Sequence, residues 1–287
     1  MRVMVLGGTG CGGRAVVRGA RGRGHTAWSV SRGIRARTDV VCDRDGPELW
    51  AILRGLSPDV VVDHVAYGAG EVRRVLAVLP SSCRYVLVSS AVVCGQARAE
   101  PYRPDEVPAP TTQFAASKRA AEEVALARPE SQVLRLGALF GPGHEAITPW
   151  GRDPNLAARL RAGERLPVPD AQVQPWFSAD HGAAVLDAIE ARDDVQIRHL
   201  AGPTTTWAAW LDAWAQAAGA DAAQLETVSD AEMAERVDPS VRPFLDALLH
   251  PPLLETDGLP PTVPLVDACR LTISALEGTG HECEHAH

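Results

Sequence analysis

The chain has 287 residues, 46% hydrophobic and 22% charged, which is enough to bury one large α/β core, or a core with a smaller lobe, without disulfide staples. Its 28 basic residues against 36 acidic ones leave a net charge of −8, which argues against nucleic acid or an anionic membrane as the main partner, since both select basic surfaces. No apolar run approaches the ~20 residues that span a bilayer, and six cysteines without paired or metal-type spacing are expected as free thiols of a cytoplasmic protein with no bound metal.

Short, continuous apolar runs recur along the first half: Val3–Leu6, Thr26–Val30, Val40–Cys42, Val60–Val62, Tyr85–Val88 and Val133–Leu136. Continuous rather than alternating runs suit strands buried on both faces, as in a parallel sheet. Between them lie Arg14–Gly22, Pro47–Gly55, Gly70–Val78 and Ala115–Ala127, each with helical spacing. This βαβ repetition predicts an α/β fold, a doubly wound parallel sheet of the Rossmann type. The N-terminus MRVMVLGGTG reads as a strand entering a glycine loop, not as a secretory signal.

After Gly143 the rhythm changes. A helix is expected at Asn155–Ala162, then one at His181–Ala191 with Asp180 as its N-cap, and a strand at Val195–Leu200. From Trp207 onward the pattern is helical and broken by prolines. Residues 1–146 are thus read as a Rossmann-type domain. Residues 147–287 are read as a smaller, mostly helical substrate-binding lobe, from which a strand and helix near 176–200 return to the first domain. Trp207, Trp210 and Trp214 form a helix stripe suited to core packing, while Trp150 and Trp176 are candidates to wall a flat substrate. The tail HECEHAH is expected to be a solvated end.

The loop GGTGCGG places Gly7, Gly10 and Gly13 directly between the first strand and the first helix. In that context Gly7 permits the turn, Gly10 lets the backbone approach a pyrophosphate, and Gly13 lets helix and sheet pack closely. The loop from Gly7 through Thr9, Gly10, Cys11 and Gly12 to Gly13 is therefore the candidate dinucleotide site, with the helix N-terminus facing the anion. The second strand ends in Ser31 and Arg32 where an NAD-preferring chain carries a carboxylate, and a guanidinium pairs with a 2′-phosphate, so NADP is the favoured cofactor. Asp43, at the end of the third strand, is a candidate acceptor for the adenine amino group. Arg14 stands near enough to the loop to assist, whereas Arg18 and Arg21 are read as solvated.

Five stretches in order, GGTGCGG, VVVDHVA, YVLVSSAVVCG, the SK of FAASK and RLGALFGPG, resemble the extended short-chain dehydrogenase/reductases over roughly residues 1–200. This family includes sugar-nucleotide epimerases, dehydratases and ketoreductases. The resemblance implies that Ser90 orients the substrate, Lys118 holds the nicotinamide ribose, Ala66 lies along the cofactor and Gly137–Leu139 lie near the nicotinamide amide. It also exposes a departure. The family's catalytic tyrosine precedes the lysine by four residues, and Phe114 stands there instead; Cys94 occupies another position where a tyrosine is common.

Phenylalanine moves no proton, and general acid–base help is worth ~10²–10⁴ in rate. The departure weakens the epimerase and dehydratase readings, which need a strong base. It ranks first the NADPH-dependent reduction of an activated ketone, as in the aromatic polyketides of antibiotic biosynthesis, by an atypical member of the family akin to angucyclinone ketoreductases. The proton then comes from a substrate phenol, from ordered water, or from Tyr67, Tyr102 or His144. The expected partner is a bulky aromatic small molecule, and the chain is expected as a monomer or homodimer. The other readings are a non-catalytic NADP-sensing protein and a sugar-nucleotide epimerase or dehydratase.

Overall fold

The computed structural model describes residues 1–34, 36–106, 109–191, 194–256 and 261–279. The tail with Cys283 and parts of two proline-rich loops lie outside the described residues. Strands β1 (Arg2–Leu6), β2 (Thr26–Ser31), β3 (Val40–Val41), β4 (Val60–Asp63), β5 (Arg84–Ser90) and β6 (Ser131–Leu136) form one sheet with a seventh strand, Ile197–Leu200. The order is Ile197–Leu200, β6, β5, β4, β1, β2, β3, and every pairing is parallel. The order reverses between β1 and β4, the switch point at which α/β sheets leave a crevice for ligands.

The apolar runs are continuous because both faces are covered. Val3, Val5, Val60, Val62, Val86 and Val88 face helices α1 (Cys11–Gly22) and α6 (Ser178–Ala191). Met4, Leu6, Val61, Tyr85 and Leu87, one residue out of step, face α2 (Glu48–Leu56), α3 (Ala69–Val78) and α4 (Gln113–Leu126).

The later residues add α5 (Leu156–Arg161), α7 (Trp207–Ala218), α8 (Asp230–Arg236), α9 (Leu245–Leu249), α10 (Leu265–Thr279) and short two-stranded ladders. The tryptophan stripe of α7 forms the centre of a second core with Leu156, Leu160, Phe140, Phe177, Cys269 and Ile273. It also fixes neighbouring backbone: Trp210 Nε1 donates to the Ile147 carbonyl at 2.9 Å and Trp207 Nε1 to the Leu249 carbonyl at 3.1 Å. No helix among the described residues is long and apolar enough to cross a membrane.

Two expectations are corrected. Asp180 is not an N-cap: α6 begins two residues earlier, at Ser178, and the Asp180 carboxylate instead accepts from the Thr262 backbone N–H and hydroxyl. Trp176 does not line the cleft in front of Phe114, because its strand Pro175–Phe177 pairs with Ala138–Phe140 and its side chain is buried in the main core. Arg21 is exposed as expected, and it also donates to the Ala27 carbonyl and to the Asp39 carboxylate.

Candidate active site

The chain passes from β1 to α1 through Gly7, whose φ of +77° suits glycine and whose N–H donates to the Val30 carbonyl at 2.9 Å. A Cβ on Gly13 would lie 2.4 Å from the Gly7 carbonyl oxygen, so only glycine lets the helix start close against the turn. A Cβ on Gly10 would meet nothing nearer than 3.4 Å, which leaves the outer face of the loop open. No side chain caps α1 and no acid stands in its first turn, so the amides beginning at Cys11 and Gly12 are free for an anion. Thr9 is half-buried at the loop's crest. The Cys11 side chain turns inward; burial raises its pKa against the opposing pull of Ser178, Arg152 and Arg14. Arg14 donates to the Pro142 carbonyl at 3.0 Å and lies so close over Gly143 that a Cβ there would collide with it. The guanidinium thereby latches the GPG loop beside the phosphate turn.

At the end of β2 the Ser31 hydroxyl accepts from the Gly33 N–H, and Arg32 is exposed with no hydrogen-bond or ion-pair partner among the described residues. Asp39, not singled out from sequence, accepts from the Ser29 N–H, the Ser29 hydroxyl and Arg21, each at 2.7 Å. Although burial opposes them, these donors hold its carboxyl below the usual range. Asp39 is therefore spoken for by Ser29 and Arg21. Beside it lies a hollow of about 600 Å³ bordered by Gly8, Arg14, Arg18 and Arg37. Arg18 and Arg37 form no ion pair among the described residues. Asp43, past β3, uses its carboxylate on the Asp45 N–H.

Thr112 caps α4 by accepting from the Ala115 N–H at 3.1 Å, which sets Phe114 in the first turn and Lys118 one turn later. Lys118 is buried. Its ammonium donates to the carbonyls of Ala66 (2.9 Å) and Val88 (3.3 Å) and lies 4.9 Å from the centre of the Tyr67 ring. Burial lowers its pKa to about 8, with Asp63, Glu122 and Glu71 pulling the other way. Ala66 is buried beneath this ammonium. Phe114 packs between Tyr67 and Phe244, each ring centre 6.2 Å away.

Helix α4 is held in place by a group of side chains that sequence reading missed. Arg135 on β6 makes a forked pair with Glu122 at 3.0 and 3.2 Å, and both side chains are fully buried. Ser89 donates to the same carboxylate at 2.6 Å, and His199 stands behind Arg135 at 3.4 Å. Next door, Asp63 accepts from Tyr85, Arg44 and the Val65 N–H.

In front of Phe114 opens a cleft of about 540 Å³. Ser90 and Gly137 line its sheet side, and Phe244, Leu248 and Pro251 its lobe side. The Ser90 hydroxyl has no partner among the described residues. Of the candidate proton donors, Tyr102 donates its hydroxyl to the Gln96 carbonyl at 2.8 Å and does not line the cleft. His144 also lies off it. Tyr67 is exposed beside Phe114. Beneath Gly12, His64 and His181 meet edge to face with centres 5.2 Å apart, and neither ring nitrogen of His181 has a hydrogen-bond partner among the described residues.

The profile of the NAD-dependent epimerase/dehydratase family matches residues 69–201, a span that includes Ser90, Phe114, Lys118 and Gly137. The chain is 30% identical to a 3-diazoavenalumate denitrifying reductase of a Streptomyces species, covering 77% of this chain and 82% of that one. The chain belongs to the NAD-dependent epimerase/dehydratase family. It is also 28% identical to 2′-dehydrokanamycin reductase of Streptomyces kanamyceticus, over 70% of this chain but only 62% of that protein's length. The fold is that of dTDP-glucose 4,6-dehydratase from Bacillus anthracis, solved with NAD, at a TM-score of 0.76 and 15% identity over 98% of each chain.

Proposed function

We propose that the protein is an NADPH-dependent reductase of a flat, largely apolar natural-product acceptor, working without a protein phenol. The two family relatives named as reductases of Streptomyces compounds support the class. The observation that carries the reading is Phe114, an apolar ring in the cleft between Ser90 and the region of Lys118. When bound, the dinucleotide supplies a hydride. The uncapped start of α1 and the open face of Gly10 fit its pyrophosphate, and Lys118 fits the nicotinamide ribose. Arg32, with Arg18 and Arg37 bare beside Gly8, favours a 2′-phosphate and so NADP.

The free Ser90 hydroxyl holds the acceptor's oxygen, and the aromatic walls fix the acceptor's plane. Positioning of this kind is worth roughly 7–11 kcal/mol, more than the ~10²–10⁴ in rate that a general acid adds. The acceptor must then bring its own activation, as a ketone hydrogen-bonded to a neighbouring phenol or a quinone does. Loss of NADPH absorbance with a hydroxyanthraquinone tests this. Turnover with a clear preference for NADPH over NADH is expected, and Arg32→Ala should erode that preference. Tight NADPH binding with no turnover across activated carbonyls would favour a cofactor-sensing role instead.

Phe114 also favours a second reading, in which the acceptor carries an aromatic diazo group, as the name of the denitrifying relative suggests. A hydride would form a C–H bond at the diazo carbon as the C–N bond breaks and dinitrogen leaves, so no alkoxide forms at the reacting carbon and nothing is asked of a phenol beside it. Dinitrogen release from a diazophenol with matching NADPH loss distinguishes the two.

A further inference from the structure

The cleft before Phe114 has one charged lining residue among those described, Arg152, and sequence reading did not single it out. Arg152 lies on a small antiparallel hairpin, Ala146–Thr148 with Gly151–Asp153, in which Ile147 and Arg152 are directly opposed. Opposed residues share a face, and Ile147 also lines the cleft, so both present themselves to it. The other face is tied down. Asp153 accepts from Arg159 at 2.6 Å and from Trp150 Nε1 at 3.0 Å, while Trp210 holds the Ile147 carbonyl from below. The hairpin is thus a fixed mount.

The guanidinium itself has a single hydrogen bond, to the Glu145 backbone carbonyl at 3.0 Å, and no ion pair among the described residues. Its neighbours Arg159 and Arg236 each have carboxylates of their own. Arg152 is exposed, so its guanidinium, beside an apolar cavity and lacking an anion, is open to one that a ligand brings.

We infer that Arg152 is the anchor for an acidic substituent, a carboxylate, on the aromatic acceptor. The inference rests on the reductase reading for the identity of the cleft and deepens it: the ring system lies against Phe114, Phe244 and Leu248 while its acid group pairs with Arg152. One forked pair then fixes the acceptor along the cleft, which the apolar walls alone leave free to slide. A nucleotide diphosphate offers the same anionic chemistry, as does the cofactor's own pyrophosphate, since Arg152 also acts on Cys11 at the phosphate turn.

Titration calorimetry with 3-hydroxy-2-naphthoic acid, its methyl ester and UDP separates these sources. On NADP-saturated protein the acid should bind at least about ten-fold more tightly than the ester, the range expected for a charged hydrogen bond. Arg152→Met should remove that advantage and leave the ester's affinity unchanged, Arg152→Lys should keep part of it, and NADP affinity should stay as it was. Equal binding of acid and ester to the wild type, or no binding of the acid, overturns the inference. So does UDP binding more tightly than the acid and losing that affinity in Arg152→Met. An equal loss of NADP affinity in that variant overturns it as well, by assigning Arg152 to the cofactor. NADP binding and NADPH turnover are measured separately, so failure of the reductase reading shows itself without the acid–ester contrast. Thermal melting of each variant checks that the fold survives.

Discussion

The Lys118 ammonium lies 4.9 Å from the centre of the Tyr67 ring while donating to the Ala66 carbonyl at 2.9 Å. An ammonium between an aromatic face and a carbonyl keeps its charge in a dry place, and one donor direction stays available for a ribose hydroxyl. The cost of that burial appears in its pKa, lowered to about 8.

A pH dependence results. The useful form of Lys118 is the protonated one, and raising the pH through about 8 removes its charge. NADPH affinity and turnover should therefore be full at neutral pH and fall as pH rises through about 8. A titration of NADPH binding by fluorescence checks the direction. Lys118→Met should bind more weakly and lose the pH dependence; a profile flat to pH 10 in the wild type would contradict the assignment.

Phe114→Tyr places a phenol one helical turn before Lys118, at the edge of a ring contact with Tyr67 and Phe244. The variant should reduce unactivated ketones about 10-fold to 100-fold faster than the wild type, at the low end of general acid catalysis. It should change little with a substrate carrying its own phenol. Steady-state kinetics on such a pair decides whether the missing hydroxyl is what restricts the acceptor.

Glu122→Ala should destabilise the fold by about 3–5 kcal/mol, because it strands the fully buried Arg135 guanidinium and the Ser89 hydroxyl. The double variant Glu122→Leu with Arg135→Met should recover much of the loss, since no buried charge is left alone. Denaturant melts give the magnitudes. Cofactor affinity should weaken in the single variant, because the same pair seats the helix that carries Lys118.

Burial lowers the pKa of His181 to about 3 and of His199 to about 4, and Arg135 adds to the depression at His199. Their unfolded values are near 6.5. Depressed folded values mean that below about pH 6.5 the unfolded chain takes up protons the folded chain refuses, so stability is full above that pH and declines on acidification. The melting temperature should drop between pH 7 and pH 5, a window in which carboxylates titrate little. A shallower slope in His181→Phe would confirm the source.

The valine-rich runs and the GGTGCGG turn made the parallel sheet and its glycine crevice legible, because strands buried on both faces admit almost nothing but apolar residues. The spacing of Phe114 and Lys118 likewise gave one helix face in advance. Arg152, Asp39 and the Glu122–Arg135 pair were not legible. Each draws its meaning from partners many residues away, or from the lack of one, and an isolated arginine in a strand of three residues looks like surface. Asp180 misled for a related reason: its neighbourhood reads as a helix start, and only the docking of Thr262 shows where its carboxylate goes.

By itself, then, the sequence determined the sheet, the glycine turn that starts α1 and the placing of Phe114 one helical turn before Lys118, since backbone periodicity and glycine stereochemistry are local properties. Only the tertiary structure decided which cations are left without an anion, where the cleft opens and which phenols can reach it. Those depend on burial and on distances between chain-distant groups, and the strength of a charge's interactions is set by the surroundings the fold gives it.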